Sequence, residues 1–264
     1  MGMVHRIQKT ASCADGNGSR LQGGFCSLNG IRFFLPKEAE AYGTIDSSSE
    51  ELTMPQSDLF SNSPSARSYS SLDELFADMR KMKDDPLAKA GTNIVISRGN
   101  PQAKLLIIGE APGPEENVKG KPFVGRAGQL LDKILEAANF DPEKDVYITN
   151  SVFRLPPGED GKAFRKPTDE EIKYYRPYVL EIIRLIDPVI MLLTGNVACQ
   201  SILGKTGITS LRGQWSQVQG RWVMPIYHPS YLLRNPSKEP GSPKAQMWDD
   251  IREVRRKYDE LVGK

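Results

Sequence analysis

Four short apolar runs, at positions 105–108, 146–148, 189–193 and 223–227, punctuate the chain beyond its first hundred residues. Amphipathic stretches separate the first three, most clearly at 129–139 and 168–186, where apolar residues recur at helical spacing. Near-continuous apolar strands alternating with helices imply a parallel sheet covered on both faces. Upstream, Ser71-Leu72-Asp73-Glu74 has the form of a capping box and predicts a helix over 72–83. A last amphipathic stretch, 244–261, closes the pattern. The expected fold is therefore α/β: a three-layer α/β/α domain around a central, mainly parallel four-stranded sheet.

Before residue 71 the pattern dissolves. Segment 45–71 is rich in Ser and broken by Pro, and cannot bury enough apolar area to offset the entropy of ordering it. Residues 1–44 hold one apolar cluster, at 31–35. The expectation is a disordered or weakly ordered extension and linker over 1–70, and a folded domain over 71–264. Arg6, Lys9, Arg20 and Arg32 outnumber the lone Asp15 before residue 37, which faintly suggests an organellar transit peptide. The expected location is the cytoplasm of a bacterium, with plastid or mitochondrion as the alternative if that segment is a transit peptide. Arg6 stands where a myristoylation signal needs Ser or Thr.

Composition narrows the function classes. No apolar run approaches the roughly 18 residues of a membrane span, which excludes an integral helical membrane protein. The three cysteines, Cys13, Cys26 and Cys199, are scattered and odd in number, so they make neither a disulfide framework nor a four-thiolate metal site. With 35 Lys+Arg against 33 Asp+Glu, bulk electrostatics cannot drive nucleic-acid binding. The distribution changes that picture: positions 188–238 contain no Asp or Glu but carry Lys205, Arg212, Arg221, Arg234 and Lys238. Such a stretch predicts a local basic edge suited to a phosphate backbone.

Sites in open parallel sheets form at the carboxyl ends of the strands. Here those ends carry Gly109-Glu110-Ala111-Pro112-Gly113 with Glu115 and Glu116, then Thr149-Asn150, Thr194-Gly195-Asn196, and His228-Pro229-Ser230-Tyr231-Leu232-Leu233-Arg234. A carboxylate, an amide and an imidazole thus converge on one edge. Taken singly, Asn150 could cap a turn, His228 could be a satisfied loop histidine and Glu110 a solvated carboxylate. Between the first strand and the next helix, glycines at 120, 125 and 128 surround Phe123, which could plug the core or stack on a planar ligand. Neither GxxxxGK[ST] nor GxGxxG occurs, which argues against nucleotide-triphosphate or dinucleotide binding.

These residues resemble the family 4 uracil-DNA glycosylases. The likeness is carried by Gly109-Glu110-Ala111-Pro112-Gly113 with Glu115-Glu116, and by Gly120, Pro122-Phe123-Val124-Gly125, Ala127-Gly128 and Leu130-Leu131-Asp132. Ile148-Thr149-Asn150, Leu211-Arg212-Gly213 and the segment His228 to Arg234 follow in the same order, so the resemblance spans roughly residues 71–262. It implies a DNA-repair hydrolase that flips uracil out of DNA and cleaves its N-glycosidic bond, leaving an abasic site for base-excision repair. The implied uracil-binding residues are Gly109, Phe123 and Asn150, and the implied catalytic residues are Glu110, Glu116 and His228. Ala111 stands where the best-known uracil glycosylases carry a catalytic Asp, so leaving-group stabilisation is expected to dominate. DNA contacts are expected from Arg212, Ser230, Tyr231, Leu232 and Arg234, with Tyr231-Leu232-Leu233-Arg234 as the apolar wedge and its flanking Arg, and from Lys162 and Arg165 of the longer loop 158–167.

The chain departs from that family in one respect. Its members usually hold a [4Fe–4S] cluster on four cysteines, and the corresponding positions here hold Met82, Asp85, Arg154 and Tyr175. No cofactor, cluster or other metal is therefore expected, and an Asp85–Arg154 ion pair with Met82–Tyr175 packing is expected to tie the same segments together. A related group of uracil-binding proteins carries, in a basic insertion near loop 158–167, a His that bonds to the abasic sugar; this loop has none, which disfavours irreversible trapping. The expected partner is uracil-containing DNA, single- or double-stranded, with no membrane and the chain a monomer. The alternative is a catalytically inactive or altered-specificity DNA-binding member, or one acting on a free nucleoside or on another deaminated base such as hypoxanthine.

Overall fold

The computed structural model describes residues 26–28, 31–33, 68–158 and 163–263, and the chain divides into two compact units, Met1–Ser61 and Asn62–Lys264. In the first, β1 (Cys26–Leu28) and β2 (Ile31–Phe33) pair antiparallel, with Ser27 opposite Arg32. The expected contact residue Lys162 lies outside the described residues.

The second unit opens with α1 (Leu72–Met79), whose N-cap Ser71 accepts the Glu74 N–H; the Glu74 carboxylate accepts from Ser70 rather than from the Ser71 N–H, so only half of the expected capping box forms. Tyr69 already belongs to the buried core, so that core begins two residues before the expected boundary. The helix stops at Met79, four residues earlier than its pattern suggested. There follow β3 (Ser97–Gly99), β4 (Leu105–Gly109), α2 (Pro114–Lys119), α3 (Arg126–Ala137) and β5 (Val146–Asn150). The chain continues through α4 (Asp169–Ile186), β6 (Ile190–Thr194), α5 (Asn196–Leu203), α6 (Ile208–Leu211), β7 (Ser216–Val218) and β8 (Arg221–Ile226). It ends in α7 (Pro229–Arg234) and α8 (Pro243–Val262).

The sheet has six strands rather than four, in the order β3-β5-β4-β6-β8-β7. The four apolar runs form its parallel centre. The two additional strands, β3 and β7, lie antiparallel at the edges. Neither edge strand carries an apolar run, because an edge strand three residues long has little to bury. Alternation along the central strands divides the core into two layers. Leu106 and Ile108 face a cluster with Leu75, Met79, Val179, Ile183 and Ile202, from α1, α4 and α5. Leu105 and Ile107 face Leu131, Leu135, Met247 and Ile251, from α3 and α8. This is the expected three-layer arrangement, and no described helix is long and apolar enough to cross a membrane.

Candidate active site

Strand β4 sits where the strand order reverses, with β5 on one side and β6 on the other. A crevice opens at the carboxyl end of such a strand. A cavity of about 250 Å³ occupies it, lined among others by Glu110, Phe123, Asn150, Phe164 and His228. The structure thus brings together residues contributed by β4, β5, the loop before α3 and the start of α7.

Each wall has a local cause. Gly109 ends β4 without a side chain; a Cβ there would lie 2.2 Å from Asn150 Oδ1 and 2.5 Å from the Phe123 ring. Phe123 adopts a left-handed φ of 53°, unusual for an aromatic residue, and its carbonyl abuts Gly128, where a Cβ would meet it at 1.8 Å. Arg98, on β3, holds this strained turn: its Nε donates to Pro122 O at 3.0 Å, and its guanidinium pairs with Asp132 at 2.5 Å. Sequence reasoning missed Arg98, since a lone Arg in a short polar segment carries no signal.

Asn150 is 1% exposed at the last position of β5. Its Oδ1 is buried and has no hydrogen-bond partner among the described residues. A buried acceptor left unpaired costs about 1–3 kcal/mol, so this atom points to a donor that a ligand brings. His228 stands 5.8 Å from Phe123, ring centroid to centroid. Its Nδ1 accepts the Ser230 N–H at 3.2 Å and lies 2.7 Å from the Ser230 hydroxyl, which places the ring proton of a neutral imidazole on Nε2. Burial, with the positive charge of Arg234, pushes the imidazole pKa down to about 4. Glu110 is half-buried at the rim; burial raises its pKa, and Lys166 and Arg234 oppose that rise.

Several residues expected to be catalytic (Glu116) or to contact DNA are engaged within the protein. The Glu116 carboxylate accepts the backbone N–H groups of Gly113, Val124 and Gly125 at 3.1, 3.0 and 2.8 Å, so it clamps the loop that carries Phe123. Ser230 is engaged with the His228 ring. Arg212 grips Asp250 with two donors and also donates to Gln246 O, which turns it away from a role on phosphate. Arg165 forms a fork-to-fork pair with Glu171, at 2.8 and 2.6 Å. Leu232 is 1% exposed and belongs to the core, so it cannot wedge into a duplex; the exposed apolar residues of α7 are Tyr231 and Leu233. The basic edge is smaller than expected, because Arg212 and Arg221 are neutralised by Asp250 and Asp187, both outside the acid-free stretch.

Of the four positions where the family resemblance places cluster cysteines, three are bonded to one another. Arg154 Nε meets Asp85 at 2.5 Å, the Tyr175 hydroxyl donates to Asp85, and Arg154 also reaches Thr92 O. Asp85 accepts the Leu87 N–H at 2.9 Å as well, and Met82 packs at the edge of the same core. The Asp85–Arg154 pair is as expected, but the Tyr175 hydroxyl bonds Asp85 in addition to any apolar packing. A carboxylate, a guanidinium and a phenol saturated by each other do not fit an iron–sulfur cluster. The one free cysteine among the described side chains, Cys199, is buried, and burial pushes its thiol up to about 12.

The family model described as the uracil DNA glycosylase superfamily matches residues 96–252. The type-4 uracil-DNA glycosylase of Thermotoga maritima is 39% identical over 166 residues, spanning 61% of this chain and 82% of that protein. The Archaeoglobus fulgidus type-4 enzyme is 34% identical over 204 residues, 74% of this chain and 94% of its own length. A DNA polymerase of Bacillus phage SP01 is 34% identical over 152 residues, which make up 16% of that protein. The matched region contains all the central strands and every residue placed around the cavity, and the chain belongs to the uracil DNA glycosylase superfamily.

Proposed function

We propose that this protein is a monofunctional uracil-DNA glycosylase, which takes uracil out of the DNA stack, hydrolyses its N-glycosidic bond and leaves an abasic site. The observation that carries the reading is the buried, unpartnered Oδ1 of Asn150 beside Phe123 and His228. Uracil offers N3–H to that oxygen, and the amide Nδ2 donates to O4. Cytosine presents an acceptor at N3 and a donor at N4, the reverse of what an amide in this orientation pairs with. Extrusion of the base is required because its reacting bond is inaccessible within a duplex.

Phe123 stacks on the extruded base. His228, neutral because its pKa lies near 4, donates from Nε2 to O2, where negative charge grows as the N1–C1′ bond breaks. A preorganised donor of this type is worth about 10²–10³ in rate. Uracil leaves as the anion while a water oxygen bonds C1′. Glu110, at the rim, faces the cationic sugar and orients that water, which gives up its proton to the carboxylate or to solvent. DNA, single- or double-stranded, is the substrate and the chain acts as a monomer; Arg234 and Lys166 offer charge to phosphates, and Tyr231 and Leu233 offer apolar surface to the vacated position.

The test is excision from a labelled oligonucleotide bearing one uracil, followed by alkaline cleavage at abasic sites. Absence of cleavage on U·G, U·A and single-stranded substrates ends the reading. Given activity, Asn150→Ala and His228→Ala each lower the single-turnover rate by about tenfold or more, and unchanged rates remove their assigned roles.

A further inference from the structure

The loop 158–167, read in sequence as a surface insertion touching phosphate, puts an aromatic side chain on the rim of the cavity. Phe164 lines the cavity and is 61% exposed. Its backbone is nonetheless held from both sides. Pro157 and Phe164 form a β-bridge, Gly158 N–H donates to Ala163 O at 2.7 Å, and Arg165 N–H donates to Pro156 O at 3.1 Å. The next residue, Arg165, is locked by its fork onto Glu171, a buried side chain that also accepts the Thr168 N–H at the start of α4. No ring partner for Phe164 occurs among the described residues. A large apolar side chain left in water on a rigid backbone binds a partner with little further ordering cost.

Position says what the partner is. The base end of the cavity is closed by Phe123, 6% exposed, with Asn150 and His228. Whatever is covalently attached to a bound uracil must leave through the rim, beside Phe164. The same rim lies within the fields of Lys166 and Arg234, both of which act on Glu110. An exposed ring next to cationic side chains is the arrangement that tracks a nucleic-acid strand by stacking on its bases.

We propose that Phe164 is a substrate-contact residue whose ring stacks on the nucleobase adjoining the flipped uridine. This rests on the glycosylase reading above. Single-turnover excision is measured as a function of enzyme concentration on a single-stranded oligonucleotide with one uracil, for wild type and for Phe164→Ala, Phe164→Leu and Phe164→Trp. Because stacking on one base corresponds to about ten- to a hundredfold in binding, Ala and Leu raise the half-saturating concentration by that factor. The maximal rate stays nearly unchanged, and Trp restores wild-type behaviour. Inhibition by free uracil, which needs only the base end, is the same in all four proteins. Replacing the bases on both sides of the uridine by abasic spacers weakens wild type to the level of Phe164→Ala and leaves the Ala variant where it was. An active wild type whose Ala variant binds normally, or whose Ala penalty persists on the spacer substrate, overturns the inference alone. A wild type that releases no uracil overturns the glycosylase reading and this inference with it.

Discussion

Replacing Arg154 by leucine strips the counter-charge from Asp85, whose side chain is wholly buried. The carboxylate keeps the Tyr175 hydroxyl and the Leu87 N–H, but neither neutralises it. Removing one partner of a buried pair costs about 3–5 kcal/mol, because the remaining charge is uncompensated. For a domain of this size each kcal/mol lowers Tm by about 2–4 °C, so Arg154→Leu falls by about 6–20 °C. Asp85→Leu leaves a guanidinium that still reaches solvent and keeps its bond to Thr92 O, and is milder. The triple variant Asp85→Leu, Arg154→Leu, Tyr175→Phe removes both charges and the orphaned hydroxyl together, leaving the Leu87 N–H as the main unpaired group at about 1–3 kcal/mol. The expected order of stability is wild type, then triple variant, then Arg154→Leu, measured by scanning calorimetry with iron determined on the same samples. A drop of less than about 2 °C for Arg154→Leu, or additive effects of the single changes, refutes the idea of a coupled node. Stoichiometric iron in the wild-type protein does so more directly.

The pH profile of excision tests the state of His228. A depressed folded pKa means that the neutral ring contributes stability fully above the unfolded value near 6.5, and that this contribution is lost as pH falls through 6.5 towards 4. The single-turnover rate is accordingly flat through pH 6.5 and declines only towards 4; a midpoint near 6.5 contradicts a neutral donor. On α7, Leu232→Ala costs about 2–5 kcal/mol of stability, visible in thermal melts. Leu233→Ala leaves Tm unchanged and weakens duplex substrates, and the reverse assignment sinks the placement of the wedge. At Gly109, alanine forces a methyl into Asn150 Oδ1 and the Phe123 ring, so free uracil no longer inhibits while the melting profile stays cooperative; retained inhibition shows that the wall has room to give.

The parallel centre of the sheet was legible because a strand buried on both faces must be apolar throughout, as 105–108 and 189–193 are. The edges were not: Ser97–Gly99 and Ser216–Val218 carry no apolar run, and such short segments are indistinguishable from loop. The cavity-lining residues Glu110, Asn150 and His228 were legible because strand ends select them, and Phe123 because glycines at 120, 125 and 128 surround it. Which of two adjacent leucines faces the core is decided by how the short helix α7 docks, so Leu232 and Leu233 could not be told apart. Charge pairing was hidden for the same reason. The acid that neutralises Arg212 stands 38 residues downstream on α8, and a stretch free of acids in sequence is not free of them in space.

The cavity draws Asn150 from β5 and His228 from the chain after β8, and these meet only across β4 and β6. It has no existence in any single hairpin or helix pair. Closing it requires contacts between residues 78 positions apart, a long-range event that comes late in folding because loop closure precedes the contacts that reward it. A ligand in the base end therefore binds only the completed sheet, and its free energy adds to the barrier against global unfolding rather than to any local fluctuation. Saturating uracil should slow hydrogen exchange most at the amides of β6 and of the interior of β4, before Gly109, which lie away from the base.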